Sequence, residues 1–383
     1  MYFLEMLGLY IHIPFCEKIC DYCDFFTIQG PDRLHGEYLD LLSREISAFS
    51  ERHPGVLSQA ETLYLGGGTP SILSPESLSK LFSILGEAGV PLRRLKESTM
   101  EFNPESCDRE RLAVALENGI TRASLGLQTF RPELLQAVGR RHTPEAGLAA
   151  LECLLSQENL RVTADLMFNL PGQTVAQFLE DLDRLSAYPL GHISFYGLKV
   201  DPRTRLGHRL EKGELQVDED LYGDMYRKGV ELLESRGFER YEVSNFARPG
   251  EESLHNLNYW RRGEYLAFGP SANAYFEGVR FHAPDLYPEW RRYVQAGCPE
   301  SRLSKDPIGH DEQVAELIQL SLRTKYGLDV AALQDLGSRF PEKTVSKWVG
   351  RGFLKGLGDR LVLQGDGWLF MDTVVADLYS NLE

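Results

Sequence analysis

GLYIHIPFCEKICDYCDF, residues 8–25, sets a β-type run directly against three cysteines. Gly8–Ile13 is short, apolar and aromatic, and Pro14 closes it, so it reads as a strand. Cys16, Cys20 and Cys23 then fall within eight residues and make up half of the chain's six cysteines. Thiolates are soft donors suited to zinc or to an iron–sulfur cluster. A closed structural zinc site wants four ligands, and His12 is the nearest residue that could complete one. A cubane cluster usually takes four cysteines, so three leave one iron open to another ligand. Cys107, Cys153 and Cys298 are scattered and read as ordinary thiols.

Further runs of the same kind follow at Thr62–Leu65, Ser98–Phe102, Arg122–Leu127, Val162–Met167 and His192–Leu198. Amphipathic stretches near 36–52, 75–88, 108–118, 144–156 and 175–187 separate them, and a sixth covers Asp218–Arg236. Pro75 and Pro144 fit first helical turns, and Thr174 fits an N-cap. Strand–helix units in series predict an α/β fold with parallel strands: a (β/α)6 TIM-type partial barrel, with an open doubly wound sheet as the alternative.

Residues 1–235 are assigned to this barrel, 236–300 to an extension and 301–383 to a small C-terminal domain. That last part shows helical stretches at 311–323, 328–336 and 341–351, then RLVLQGDGWLFMD, read as a hairpin turning at Gly365-Asp366-Gly367. Three helices and a hairpin predict a winged-helix-like module. The net charge is −15. A nucleic-acid partner needs a basic footprint, and none is present globally. No apolar run reaches the roughly 18 to 20 residues of a membrane span. Met1–Tyr10 lacks the features of a signal peptide, so a cytoplasmic protein is expected.

In a parallel barrel, chemistry collects at the C-terminal ends of the strands. The unusual residues fall there: the cysteines after the first strand, Gly66-Gly67-Gly68-Thr69-Pro70 after the second, Glu101 and Asn103 at the third, Gln128 at the fourth and Asp165 at the fifth. Singly, three glycines are a tight turn and each carboxylate is a scaffold residue. Gathered on one face, they predict a ligand site. Glycine lets a backbone approach a ligand closely, and its N–H groups can take an anionic or amide group.

C-x3-C-x2-C after a first strand and GGGTP after a second resemble the radical S-adenosylmethionine (SAM) superfamily. In that superfamily the open iron of a [4Fe–4S] cluster holds SAM, and one electron from the cluster cleaves it. LYIHIPFC, GGGTPS, EFNPE, SLGLQTF, GRRHT, DLMFNLPGQT, YEVSNFARPG and HNLNYW run in order along nearly the whole chain. They resemble the branch of oxygen-independent coproporphyrinogen III oxidase and the HemW-type haem chaperones. The resemblance implies Cys16, Cys20 and Cys23 as cluster ligands and Tyr10 and Tyr22 as flanking residues. It also implies Gly67, Gly68, Thr69, Glu101, Gln128, Arg140 and Asp165 as the SAM pocket.

The oxidases continue the motif to a fourth cysteine where this chain has Phe25, and they carry a longer N-terminal segment. Both differences, with HNLNYW at 255–260, point to the HemW-like branch. Implied with it are bound haem, a haem-acceptor protein and a reducing electron-transfer partner. His255 is the candidate haem ligand; the competing reading has it bonding a loop while Tyr259 and Trp260 fill a core. Two departures stand out: Asn273 where the family shows histidine, and Lys199 where it shows threonine. A radical enzyme acting on coproporphyrinogen or a related porphyrin is the alternative function, and a zinc-stabilised binding module the third. No interface pattern fixes the oligomeric state, and a homodimer stays open.

Overall fold

The computed structural model describes residues 6–383. Its centre is the expected strand–helix series: β1 (Leu7–Ile13), α1 (Arg33–Arg52), β2 (Ala60–Gly67), α2 (Pro75–Glu87), β3 (Glu97–Phe102), α3 (Arg109–Glu117) and β4 (Arg122–Gln128). Two helices, α4 (Pro132–Ala137) and α5 (Pro144–Leu155), lead to β5 (Arg161–Phe168), α6 (Val175–Ser186) and β6 (His192–Gly197). The short α7 (Arg205–Glu211) and the longer α8 (Asp220–Ser235) complete this part. Strands β1 to β6 are parallel neighbours in chain order. A doubly wound sheet reverses its strand order partway, and this one does not. The partial barrel therefore stands.

Local chemistry explains the helix starts. Ser74, Asp108 and Thr143 each accept a first-turn backbone N–H, and Thr174 forms a capping box with Gln177. Period two explains the barrel wall. Leu63, Leu65, Met100, Ala123, Leu125, Val162, Ala164, Ile193 and Phe195 are buried in the core shared with the helices. Their alternates Tyr64, Thr99, Glu101, Arg122, Ser124, Thr163, Asp165, His192, Ser194 and Tyr196 face an inner cavity. Barrel interiors are usually filled by branched apolar side chains. This one is polar.

The segment after α8 extends both edges of the sheet. β7 (Glu239–Arg240) and β8 (Asn245–Ala247) pair antiparallel beyond β6. α9 (Leu254–Trp260) then carries the chain back, and β9 (Tyr265–Phe268) pairs parallel with β1. β10 (Asn273–Phe276) and β11 (Val279–His282) follow. After α10 (Tyr287–Gln295), β12 (Ser304–Pro307) closes a sheet of twelve strands. The main sheet thus runs past residue 300 by one strand, because β12 pairs with β11.

The C-terminal module comprises α11 (His310–Leu322), β13 (Leu328–Asp329), α12 (Val330–Asp335), α13 (Glu342–Gly350), β14 (Leu354–Leu357), β15 (Arg360–Leu363) and α14 (Met371–Ser380). Its hairpin turns at Gly358-Asp359, not at Gly365-Asp366-Gly367: Leu357 pairs with Arg360, and Gly358 has φ +58°. A two-residue loop beginning with positive φ matches the strand twist. Residues 365–367 instead form a short helical turn pressed on the Phe353 backbone. The module rests on the barrel through Arg227–Asp366 at 2.8 Å, the Lys325 N–H donating to the Tyr241 carbonyl at 2.9 Å, and Arg323 over the Trp260 ring.

Candidate functional site

Cys16, Cys20 and Cys23 lie on the loop between β1 and α1, partly exposed, and all three line one cavity of about 430 Å³. The loop is pinned at both ends. Cys16 N–H donates to Ile28 O at 3.0 Å, and Ile28 N–H donates to Pro14 O at 2.7 Å. Phe15 plugs the root, buried against the Tyr38 ring. At the far end Asp21 N–H donates to Val138 O, Leu206 N–H donates to Asp21 O, and Arg209 pairs with the Asp21 carboxylate at 2.8 Å.

The glycine run fixes this loop from the second strand. Gly68 N–H donates to Ile13 O and Thr69 N–H to Phe15 O, both at 2.8 Å. A side chain at Gly68 would stand 2.6 Å from the Phe15 carbonyl oxygen, and Gly67 has φ +110° with His12 2.6 Å from its absent Cβ. The expectation that the glycine N–H groups meet a ligand is therefore corrected for Gly68. The Gly68 and Thr69 donors are spent on Ile13 and Phe15 at the root of the cysteine loop, and glycine is needed at 68 because the Phe15 backbone leaves no room for a Cβ. Gly67, Gly68 and Thr69 still form cavity wall.

The other candidates converge. Arg140 reaches the Cys20 sulfur at 3.5 Å, Gly126 O at 2.5 Å and Asn103 Oδ1 at 3.1 Å. Asn103 donates in turn to Thr69 Oγ1, which lies 3.5 Å from the Cys16 sulfur. Glu101 accepts from the Tyr64 hydroxyl at 2.7 Å and Asp165 from Ser124 Oγ at 3.1 Å. Burial pushes the Glu101 carboxyl up to about 7, helped by the nearby Asp165. It pushes Asp165 up to about 6. Gln128 enters the cavity from a β-bulge, at φ +68°. Tyr22 joins the wall. Tyr10 stands behind it, stacked on Tyr64 and bonded to His12 at 3.1 Å.

The residues fit the cofactors. Among the described residues no three His, Cys, Asp or Glu side chains converge on one point, as a single-ion site requires. His12 does not complete a zinc site: it is buried and its two ring nitrogens bond Tyr10 and the Phe26 carbonyl. A cubane asks for a spread set, one thiolate per iron. Burial raises the Cys16 thiol and holds the Cys23 thiol at about 11, so these groups become thiolates when metal binds. Two carboxylates and the Arg140 guanidinium line the same space. That suits a ligand carrying sulfonium, ammonium and carboxylate together.

His255 does not join them. It sits on α9 with no exposed surface, Nδ1 2.8 Å from Thr62 Oγ1 and Nε2 2.7 Å from the Tyr259 hydroxyl. Burial lowers its pKa to about 3, so it is neutral. In the ligand-free fold both ring nitrogens are engaged, and the imidazole lies outside the lining of the cluster cavity. Asn273 lies on β10, bonded to His282 and away from the lining of this cavity, so the departure there leaves the cavity untouched. Cys298 is buried beside Tyr293. The sequence reading passed over Tyr64, Ser124, Ser194 and Tyr196 as site residues. Their signal was the polar alternate of each strand.

The fold and this site together define a radical SAM protein. The Radical SAM superfamily model matches residues 10–185. The solved coproporphyrinogen III oxidase HemN of Escherichia coli, a radical SAM enzyme, superposes with a TM-score of 0.84 over 98% of this chain and 90% of its own, at 20% identity, and so shares the fold. The heme chaperone HemW of Lactococcus lactis is 34% identical over 85% of this chain and 84% of its own length. That of Mycobacterium tuberculosis H37Rv is 34% identical over 98% and 95%. The chain belongs to the HemW family of the radical SAM superfamily, and it binds a [4Fe–4S] cluster and SAM. No helix among the described residues is long and apolar enough to cross a membrane.

Proposed function

We propose that this protein is a haem chaperone: it binds haem and passes it to an acceptor protein, with the cluster and SAM as resident cofactors. The observation that carries this reading is the match to proteins named heme chaperone HemW over 98% of the chain, C-terminal module included. Phe25 supports it against the oxidase reading. It stands where the oxidase motif has a fourth cysteine, is 69% exposed, and lies at the edge of the cluster cavity.

In this reading Cys16, Cys20 and Cys23 hold the cluster. Tyr22, Gly67, Gly68, Thr69, Glu101, Gln128, Arg140 and Asp165 enclose SAM, with Tyr10 behind them. When both cofactors are bound the cluster supplies SAM with one electron. Arg140 compensates thiolate charge beside Cys20 and places a cation in the cavity wall for the SAM carboxylate. Glu101 and Asp165 face its cationic groups. A one-electron reductant, a cytoplasmic setting and a homodimer complete the reading.

The test is an anaerobic titration of the cluster-loaded protein with haem, followed by mixing with a haem-free acceptor such as apomyoglobin. A saturable Soret band that moves to the acceptor is expected. Absence of saturable binding at micromolar haem, with the cluster intact, overturns the reading. Decarboxylation of coproporphyrinogen III would replace it with the oxidase.

A further inference from the structure

We infer that His142 is a positioning residue for the SAM pocket: its imidazole holds the Leu127 carbonyl, and with it the strained turn that brings Gln128 into the cavity. The inference rests on the reading of Gln128 as a SAM-pocket residue and adds the residue that stands behind it.

Gln128 ends β4 in a conformation that its side chain disfavours. Its φ is +68°, and the Thr129 N–H donates to the Leu127 carbonyl, two residues back, at 2.9 Å. A three-residue turn closed around a positive φ is the rare, strained form of the γ-turn. Glycine visits that region readily, and other residues pay for it. The turn also accounts for the register. Gly126 pairs with Asp165 and Gln128 with Leu166, so Leu127 is the extra residue of the bulge. The result is a close group over Gly126. A Cβ added there would stand 2.9 Å from the Gln128 Nε2 and 3.1 Å from the Arg140 guanidinium.

Strain of this kind persists only where the surroundings over-determine it. Two buried side chains do so, one on each side of the turn. On the far side, Asp181 of α6 accepts from the Thr129 hydroxyl and, at 3.1 Å, from the Phe130 N–H. On the near side, His142 Nε2 lies 3.2 Å from the Leu127 carbonyl oxygen, the same oxygen that closes the turn. A carbonyl only accepts, so the ring carries a proton on Nε2. The imidazole is almost fully buried, its backbone N–H donates to Glu105 at 3.1 Å, and α5 begins two residues on. His142 is thus a fixed donor, and it lies outside the cavity lining. Without it the Leu127–Gln128 peptide relaxes toward extended geometry, and the Gln128 amide leaves its place beside Arg140.

The test measures SAM affinity by equilibrium calorimetry on cluster-loaded protein, with iron and sulfide content checked. Gln128→Gly, which suits the turn but lacks the amide, is expected to raise the SAM dissociation constant about tenfold, as is His142→Leu. The double variant is expected to lose no more than the larger single change, because both act through one side chain. His142→Gln, whose amide nitrogen can take the place of Nε2, is expected to stay within about twofold of wild type. SAM affinity unchanged in His142→Leu overturns the inference and leaves Gln128 in the site. Additive losses in the double variant also overturn it, since His142 would then act elsewhere, on Arg140. If His142→Leu does not fold, His142→Asn, whose amide stops short of the carbonyl, carries the same comparison. Unchanged affinity in Gln128→Gly removes Gln128 from the SAM site, and this inference with it. Failure of wild-type protein to bind haem would sink the chaperone reading and leave this one standing.

Discussion

The Arg140 guanidinium lies 3.5 Å from the Cys20 sulfur, across 120 residues of sequence. It therefore ties the loop after the first strand to the segment after the fourth. A cation there does two things: it offsets the charge of a thiolate that carries iron, and it puts positive charge in the cavity wall for a ligand. Arg140→Met removes both. The SAM dissociation constant is expected to rise about tenfold or more, the worth of one charge-assisted hydrogen bond. Iron and sulfide content should stay near wild type, because the three thiols are untouched. Calorimetry beside metal analysis checks the split.

Gly68 is a test of the loop rather than of the ligand. Its absent Cβ would meet the Phe15 carbonyl oxygen at 2.6 Å and the Phe15 nitrogen at 2.9 Å, both backbone atoms that cannot rotate away. Gly68→Ala is expected to cost about 1–3 kcal/mol and to lower cluster occupancy, since Phe15 precedes Cys16. Gly172 has the converse problem: its Cβ would meet nothing, but its φ is +77°. Gly172→Ala should cost about 1–2 kcal/mol and leave the cluster intact. Thermal melts with iron analysis separate the two.

SAM affinity should depend on pH through Glu101 and Asp165. Burial, the larger cause for each, raises these carboxyls to about 7 and about 6 without ligand. A cationic ligand favours the ionised forms, so affinity is expected to be highest above pH 7 and to fall as pH drops through 7 and 6, with protons released on binding. The sign for the ligand-free fold is opposite. A carboxyl raised above its unfolded value binds more protons when folded, so its contribution to stability declines as pH rises from about 4.5 to about 7 and then levels. Calorimetry in buffers of different ionisation heat reads the first, and melts across pH the second. Glu101→Gln should flatten the step near 7.

The Arg122–Glu97 pair sits at the floor of the barrel with side chains 2% and 1% exposed. Removing one partner strands a buried charge and two α9 contacts. Glu97→Ala is expected to destabilise the protein by about 3–5 kcal/mol. Arg122→Met combined with Glu97→Leu should recover much of that loss, though Ser253 and His255 still lose their acceptor. Denaturant melts of wild type and both variants check it.

Local patterns made much of this molecule legible along the chain. Six β-type runs separated by helices specify parallel strands, since such runs need helical crossovers, and their chain order as neighbours makes a partial barrel. Prolines and Ser/Thr caps marked the helix starts because capping is a matter of a few consecutive residues. The spacing of Cys16, Cys20 and Cys23 stated its own chemistry, being contained in one loop. What tertiary structure decided was which groups are spent. His255 is bonded to Thr62, 193 residues away, and stacked on Tyr64, contacts that no local pattern announces. Gly68 and Thr69 could offer N–H groups to a ligand, and only the return of β2 over β1 uses them up. A side chain's partners across the sheet depend on register between strands far apart in sequence, and no local pattern carries that information.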